Sequence, residues 1–553
     1  MTDTFSVKHT RLCRAVGFDD EDLSRPLIGI ANAFSDIVPG HANLRQLADH
    51  AKKGIYQAGG SAVEFGVIGC CDGVASGHKG NLYALPSREI IADSIETMVH
   101  AHKLDGLLLL GSCDKIVPGM LMGAARANVP SLLLPGGPML GGPSFGNKKK
   151  ADGTTVDEAI GMLQVGECDP ETVRRLETVC YPTCGSCSFY GTANTMCCVA
   201  EAMGMALPDA GSAPAVYAER LRLASRSGRQ IVALVNKNLR PRDILTFDAL
   251  KNGIAFLMAS GGSTNAVLHL CALAWELGID PADILQEFDR QSAVVPYIAR
   301  INPASGDYDM EDFYRAGGVM RVLDYLRDHL SLSVLTGTGE TLADTRSAHR
   351  YLYTDDPSAV IRRPDQPFHT LGGLAVMRGN LAPDTGIAKP AAIAKQCRVF
   401  TGEAICFDSE EECSEALAQQ KIRPGHVVVI RYEGPKGGPG MREMYEPMKR
   451  MVGQGLALTA ALITDGRFSG TNNGCFVGHI CPEAAAGGPI ALVRDGDRIT
   501  IDVNKKELTL HVDDAVLEER RKAWTYTPKP ASGVLARYAK LASGADRGGV
   551  LEC

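Results

Sequence analysis

The chain has 553 residues, 45% of them hydrophobic and 22% charged, with a net charge of −7. It is too long for one ordinary core and globular in composition, which predicts two or three domains and excludes a disordered, collagen-like or coiled-coil chain. Lys148-Lys149-Lys150 is the longest basic run and the apolar runs stay far below the roughly 20 residues of a membrane span, which excludes a nucleic-acid surface and a membrane protein.

In chain order, Met1-Thr2-Asp3-Thr4 lacks the basic start and apolar stretch of a secretory leader, so the expected location is cytoplasmic. Residues 26–31 read as a strand and 44–58 as an amphipathic helix ending at Gly59-Gly60. Strands at 62–69, 105–111 and 129–135 then alternate with helices at 88–104 and 118–128. That alternation of apolar strands and helices predicts a parallel sheet covered on both faces. Helices follow at 213–238, 247–258, 265–277 and 310–329. Near residue 365 the character changes: short β-type runs at 372–377, 427–432, 458–463, 490–493, 498–501 and 507–512 are separated by turn residues, with 493–497 a turn between two strands. The expected fold class is α/β. An N-terminal parallel-sheet α/β domain takes residues 1–365, and a C-terminal, mostly β, barrel-like domain takes residues 366–553.

Cysteine is the anomaly, with seventeen residues, an odd and high count. In a reducing compartment, clustered thiols point to metal or catalysis and not to disulfides. Cys271 and Cys406 read as small buried hydrophobes. Cys70, Cys71, Cys113, Cys180, Cys184 and Cys187 lie in turn-like sequence, each within two residues of Gly, Pro or Asp.

Cys113-Asp114-Lys115 stands between a buried strand and a helix with Pro118 near its start, where open parallel sheets bind ligands. The helix N-terminus favours a Cys113 thiolate, and Asp114 and Lys115 add a hard oxygen ligand and an amine. A loop ion pair is the plain alternative. Cys71-Asp72-Gly73 repeats the layout at another strand end, and Asp72 can join Asp114 around Mg²⁺, although Asp-Gly alone is a common turn. Cys184-x-x-Cys187 reads as half a zinc knuckle, a redox dithiol, or thiolates for an iron–sulfur cluster gathered from distant segments. No second Cys/His pair at zinc spacing lies nearby. The glycine-rich stretch 431–443 lacks the Gly-Lys-Ser/Thr ending of a phosphate loop and suits a loop that delivers a carboxylate. Ser469, between Phe468 and Gly470, reads as a nucleophile or base, or as a backbone cap. Gly142-Pro143-Ser144-Phe145-Gly146 lacks the strand–turn–helix context of a nucleophile elbow, which disfavours a serine hydrolase.

Together these stretches resemble the dihydroxy-acid dehydratase/6-phosphogluconate dehydratase family, over nearly the whole chain. The resemblance is carried by Cys71-Asp72-Gly73, the run from Cys113 to Gly119, Pro182-Thr183-Cys184-Gly185-Ser186-Cys187, residues 191–196, Gly261-Gly262-Ser263-Thr264-Asn265, the 432–441 loop and residues 465–470. It implies an α/β domain and a β-barrel-like domain with the active site between them, a homodimer, and β-elimination of water from a 2,3-dihydroxy acid to give a 2-keto acid. Carried over by motif, it implies that Cys113 and Cys187 ligate an iron–sulfur cluster and that Ser469 is the base. Asp72, Asp114, Glu443 and Lys115, the last often carbamylated in the family, would hold Mg²⁺. The chemistry is coherent: Mg²⁺ stabilises the charge that develops on the substrate carboxylate, and an open iron accepts the 3-hydroxyl. A neutral serine is a weak base, so Ser469 must lie near the cation.

The chain also departs from the family pattern. Many 2Fe–2S members carry a third cysteine in a Pro-Cys-Asn stretch, where this chain reads Pro39-Gly40-His41. The third ligand then falls to Cys71 or Cys184, or is absent; the missing thiol resembles the branch associated with 4Fe–4S clusters, and the cluster type stays open. Residues 188–191 look closer to the phosphogluconate branch, whereas 433–441 and 533–540 look closer to the dihydroxy-acid branch. The expected activity is therefore a hydro-lyase of branched-chain amino-acid biosynthesis. The competing readings are a sugar-acid dehydratase acting on an aldonate or 6-phosphogluconate, and a non-catalytic iron–sulfur or zinc protein.

Overall fold

Four short, apolar strands build the first sheet of the computed structural model, which describes residues 4–146, 148–353, 356–470 and 473–552. Met1 to Asp3, on which the absence of a secretory leader was read, lie outside them. β1 (Leu27–Asn32), α1 (Leu44–Gln57), β2 (Ser61–Gly66), α2 (Ala84–His102), β3 (Gly106–Leu110), α3 (Ile116–Ala127) and β4 (Ser131–Leu134) alternate along the chain. The strands pair in parallel in the order β2-β1-β3-β4. Every side chain of β3 and β4 is buried, as the continuous leucine runs of a sheet covered on both faces require. Next come α4 (Gly153–Gln164), α5 (Thr192–Ala202), α6 (Ala218–Lys237), α7 (Phe247–Ser260) and α8 (Asn265–Leu277). All of α5 is buried and nearly all of α7, so both are interior helices with no polar stripe to show.

The second half closes eight strands into a barrel. These are β5 (Ala375–Gly379), β6 (Ala382–Ala388), β7 (Val399–Phe407), β8 (His426–Ile430), β9 (Ala461–Thr464), β10 (Cys475–Cys481), β11 (Arg498–Asp502) and β12 (Glu507–Leu510), ordered β10-β6-β5-β12-β11-β7-β8-β9. The pleat sorts their side chains with period two. Val427, Val429 and Ile463 join one apolar cluster with Val477. Val428, Ile430 and Leu462 join another with Met448 and Met451 of α9 (Tyr445–Gly453), which covers that face between β8 and β9.

Three expectations are corrected. The strand read at 490–493 is the 3₁₀ turn Pro489–Leu492, so the turn at 493–497 leads into one strand, β11. The helix read at 310–329 divides into Met310–Arg315, Gly318–Tyr325 and the 3₁₀ turn Arg327–His329. Gly317 and Gly318 adopt φ of +104° and +56° and interrupt it. Cys406, read as a small buried hydrophobe, is partly exposed on β7. Among the described residues, no helix is long and apolar enough to cross a membrane.

Candidate active site

The loops at the carboxyl ends of β2 and β3 converge with loops of the barrel. Cys71 and Asp72 follow β2, whereas Cys113, Asp114 and Lys115 link β3 to α3. His41, fully buried in the loop after β1, holds the second loop in place: its Nε2 accepts the backbone N–H groups of Ser112 and Cys113, both at 3.2 Å. An imidazole that accepts there must be neutral, and burial lowers its pKa to about 4. The Cys180–Cys187 segment is tied down by its backbone. Gly185 donates to the Pro39 carbonyl (2.9 Å) and Ser186 to the Gly137 carbonyl (2.9 Å). Gly185 sits at φ +133°, and a β-carbon there would lie 2.4 Å from the Met139 nitrogen, so a side chain is excluded.

From the barrel, the long loop between β8 and α9 delivers Glu443. Asp465 shapes it by accepting the backbone N–H groups of Tyr432 (3.1 Å), Glu433 (3.0 Å) and Ala484 (2.8 Å). Asn81 bridges the two halves, accepting the Glu443 N–H (3.0 Å) and donating to the Asp72 carbonyl (3.3 Å).

These segments enclose a cavity of about 510 Å³ lined by both thiols and carboxylates. Cys71, Cys113 and Cys187 line it, and so do Asp72, Asp114, Glu443 and Ser469, residues drawn from both halves of the chain. Lys115 is completely buried beside the carboxylates. Cys184 does not line the cavity, although the neighbouring Cys180 does.

Oxygens of Asp72, Asp114 and Glu443 lie within 4.8 Å of one another. The Lys115 ammonium bonds Asp72 and reaches Glu443 at 3.1 Å and Asp114 at 3.7 Å. Arg467, also fully buried, pairs with Glu443 and reaches Asp72 at 3.1 Å. Burial, with Asp72 and Glu443 close by, pushes Asp114 up to about 7 against the opposing pull of Lys115 and Arg467. Burial opposes the charge on Glu443 as well, but Lys115 and Arg467 outweigh it and hold that carboxyl below its usual range. Burial also opposes the Lys115 cation, which the three carboxylates nevertheless hold above its ordinary pKa.

This donor set fits a hard divalent cation: three crowded carboxylates, one of them strained toward protonation, and a buried Asp72 Oδ1 without a partner among the described residues. The thiols fit an iron–sulfur cluster. The Cys113 thiol donates toward Cys71, which lowers the Cys71 pKa and raises that of Cys113, while burial raises Cys187. Gly40, at the position where a third cysteine was looked for, faces Cys113: a β-carbon on it would lie 2.7 Å from the Cys113 Sγ.

Sequence reasoning missed four residues that organise the site. His41 was met only as the neighbour of a missing thiol. Arg467 lay inside a recognised motif without a role. Asn81 and Asn265 had none either, yet Asn265 donates to both Glu443 (2.9 Å) and Thr192 (3.0 Å). Pairing across the two halves reveals Arg467, Asn81 and Asn265, and contact between two loops of the first half reveals His41.

Two family models match the chain. The one described as dihydroxy-acid/6-phosphogluconate dehydratase N-terminal covers residues 25–345, and its C-terminal counterpart covers residues 359–549. A dihydroxy-acid dehydratase from Acetivibrio thermocellus is 48% identical over 548 residues, 98% of this chain and 97% of that protein. Another from Pyrococcus furiosus is 48% identical over 550 residues, again 98% and 97% of the two chains. A third, from Halothermothrix orenii, is 47% identical over 547 residues, 98% of each.

Proposed function

The chain belongs to the dihydroxy-acid/6-phosphogluconate dehydratase family, and on that premise we propose that it is a hydro-lyase converting a 2,3-dihydroxy carboxylic acid to a 2-keto acid and water, the dihydroxy-acid dehydratase step of branched-chain amino-acid biosynthesis. The observation that carries this reading is the meeting of Cys71, Cys113 and Cys187 with Asp72, Asp114, Glu443 and Ser469 on one cavity.

In this reading Ser469 Oγ removes the proton from C2, and the hydroxide leaving C3 takes up that one proton equivalent to depart as water. The resulting enol then loses its 2-hydroxyl proton and gains one at C3 to become the keto acid, so the net change is the loss of one water. Asp72, Asp114, Glu443 and a carbamylated Lys115 would hold Mg²⁺, and Cys71, Cys113 and Cys187 an iron–sulfur cluster. When bound, the cation supplies positive charge for the substrate carboxylate and the cluster a Lewis acid for the departing hydroxyl. Carbamylation would turn Lys115 from a cation inside the carboxylate trio into an oxygen ligand. Val156 and Ile160 of α4, with Phe189, supply apolar side chains to the cavity lining, which would meet a branched aliphatic tail.

The test is anaerobic purification followed by a keto-acid assay against 2,3-dihydroxyisovalerate, gluconate and 6-phosphogluconate. The branched substrate is expected to turn over fastest; a preference for either sugar acid would defeat the substrate assignment. Ser469→Ala should abolish turnover and leave the cluster absorbance intact. Surviving turnover would remove Ser469 from its role.

A further inference from the structure

Lys389 lies at the end of β6 with only 1% of its surface exposed. A buried ammonium is ordinarily met by a carboxylate, because burial strips water from the charge and a counter-charge compensates. No carboxylate meets this one among the described residues. Its Nζ donates to the carbonyl oxygen of Gly470, at 2.9 Å. The charged group acting on it is another cation, Lys449 of α9, itself paired with Glu158 of α4. Burial and that neighbour push the Lys389 amine down to about 7. Such a side chain costs the fold stability, and an apolar residue of the same length would cost less.

What this cost supports lies one peptide away. Gly470 follows Ser469, and the other side of this turn is closed tightly: a β-carbon on Gly470 would lie 2.8 Å from the Gly191 Cα and 2.9 Å from the Ser263 Cβ. Gly191 precedes α5, and Ser263 is hydrogen-bonded to Thr192 at 2.8 Å. Thr192 accepts from Asn265, which also donates to Glu443. The turn is therefore held between Lys389 on the barrel and the network that orients Glu443.

Resting on the reading of Ser469 as the base, we propose that Lys389 is a positioning residue for catalysis, clamping the Ser469–Gly470 turn and setting a positive charge behind the hydroxyl that must become an alkoxide. The clamp directs Oγ, and the charge favours its deprotonated form. Lys389 does not line the cavity, so it acts through the turn and not on the substrate.

The test compares the holoenzyme with Lys389→Met. kcat is expected to fall about 10- to 100-fold while KM stays within about threefold. The cluster absorbance should persist, and the thermal unfolding midpoint should stay or rise because an unpaired buried cation has gone. The rising limb of the kcat pH profile should move up by as much as about one pH unit in the range below about pH 7, where Lys389 is protonated and lends the base a neighbouring positive charge. Wild-type kcat overturns the proposal. A lower kcat with a lower unfolding midpoint and an unmoved limb also overturns it, because a merely structural lysine gives that result. Ser469→Ala separates the two layers. Wild-type turnover there sinks the base assignment itself, whereas a dead Ser469→Ala beside an unaffected Lys389→Met sinks only the role of Lys389.

Discussion

Cys71 and Cys184 competed for one role on sequence grounds, and their surroundings differ. Cys71 exchanges a hydrogen bond with Cys113 and lines the cavity, which Cys184 does not. Replacing Cys71 by Ser should therefore remove most of the cluster iron and sulfide, measured anaerobically against protein, and abolish turnover. Cys184→Ser should keep at least about half of both, because its thiol would hold no iron. The reverse pattern would exchange the two assignments. Lys115 shows the same dependence on surroundings: in the sequence it is an amine beside an acid, and in the fold it is a cation enclosed by three carboxylates.

The outer wall of the cavity is a crossing of two helices. α4 contributes Val156, Asp157 and Ile160, and α9 contributes Tyr445, Glu446 and Arg450. They approach backbone to backbone: a β-carbon on Gly453 would lie 2.1 Å from the Glu158 carbonyl oxygen and 2.8 Å from the Gly161 Cα. Rigid backbone cannot yield as a side-chain end can, so Gly453→Ala must part the helices. It should lower stability by about 2 kcal/mol in urea unfolding. It should also raise KM several-fold if, as proposed, this wall meets the substrate tail, because the wall moves. An unchanged KM would show that the crossing sets stability alone. Lys449 and Glu158 join the same helices through an ion pair at 3.1 Å, so the crossing also fixes the charges near Lys389.

The two halves of the molecule meet over buried, neutral histidines. His479 of β10 is held down to about 3 by burial first, then by the nearby cations Arg467 and Lys115. Burial and Arg88 hold His269 of α8 well below its ordinary value. Both pKa values are lower in the fold than in the unfolded chain, whose histidines take up protons near pH 6.5. Stability from these two groups is full above that pH and is lost as pH falls from about 6.5 toward 3. Each contributes a slope of about 1.4 kcal/mol per pH unit within its window. The unfolding midpoint should therefore drop across that range, and His479→Gln should flatten part of the fall. A midpoint level down to pH 4 would contradict it.

Much of this was legible in the amino acids alone. The leucine runs of β3 and β4 announce a doubly covered parallel sheet because only such strands lack a polar face. The Cys-Asp steps stand at two strand ends, the place where open parallel sheets bind ligands, and both reach the cavity. The barrel was less legible: β6 carries Pro383, Asp384 and Gly386, and its pairing comes from barrel closure and not from propensity. Sequence by itself singled out the candidate thiols, carboxylates and Ser469, since those residue types carry such chemistry wherever they stand. Only the tertiary structure put Cys71 and not Cys184 on the cavity, brought Glu443 to Asp72 across the two halves, and bonded Lys389 to the carbonyl of Gly470. Those relations span tens to hundreds of residues, and no local spacing encodes a distance that two packed domains decide.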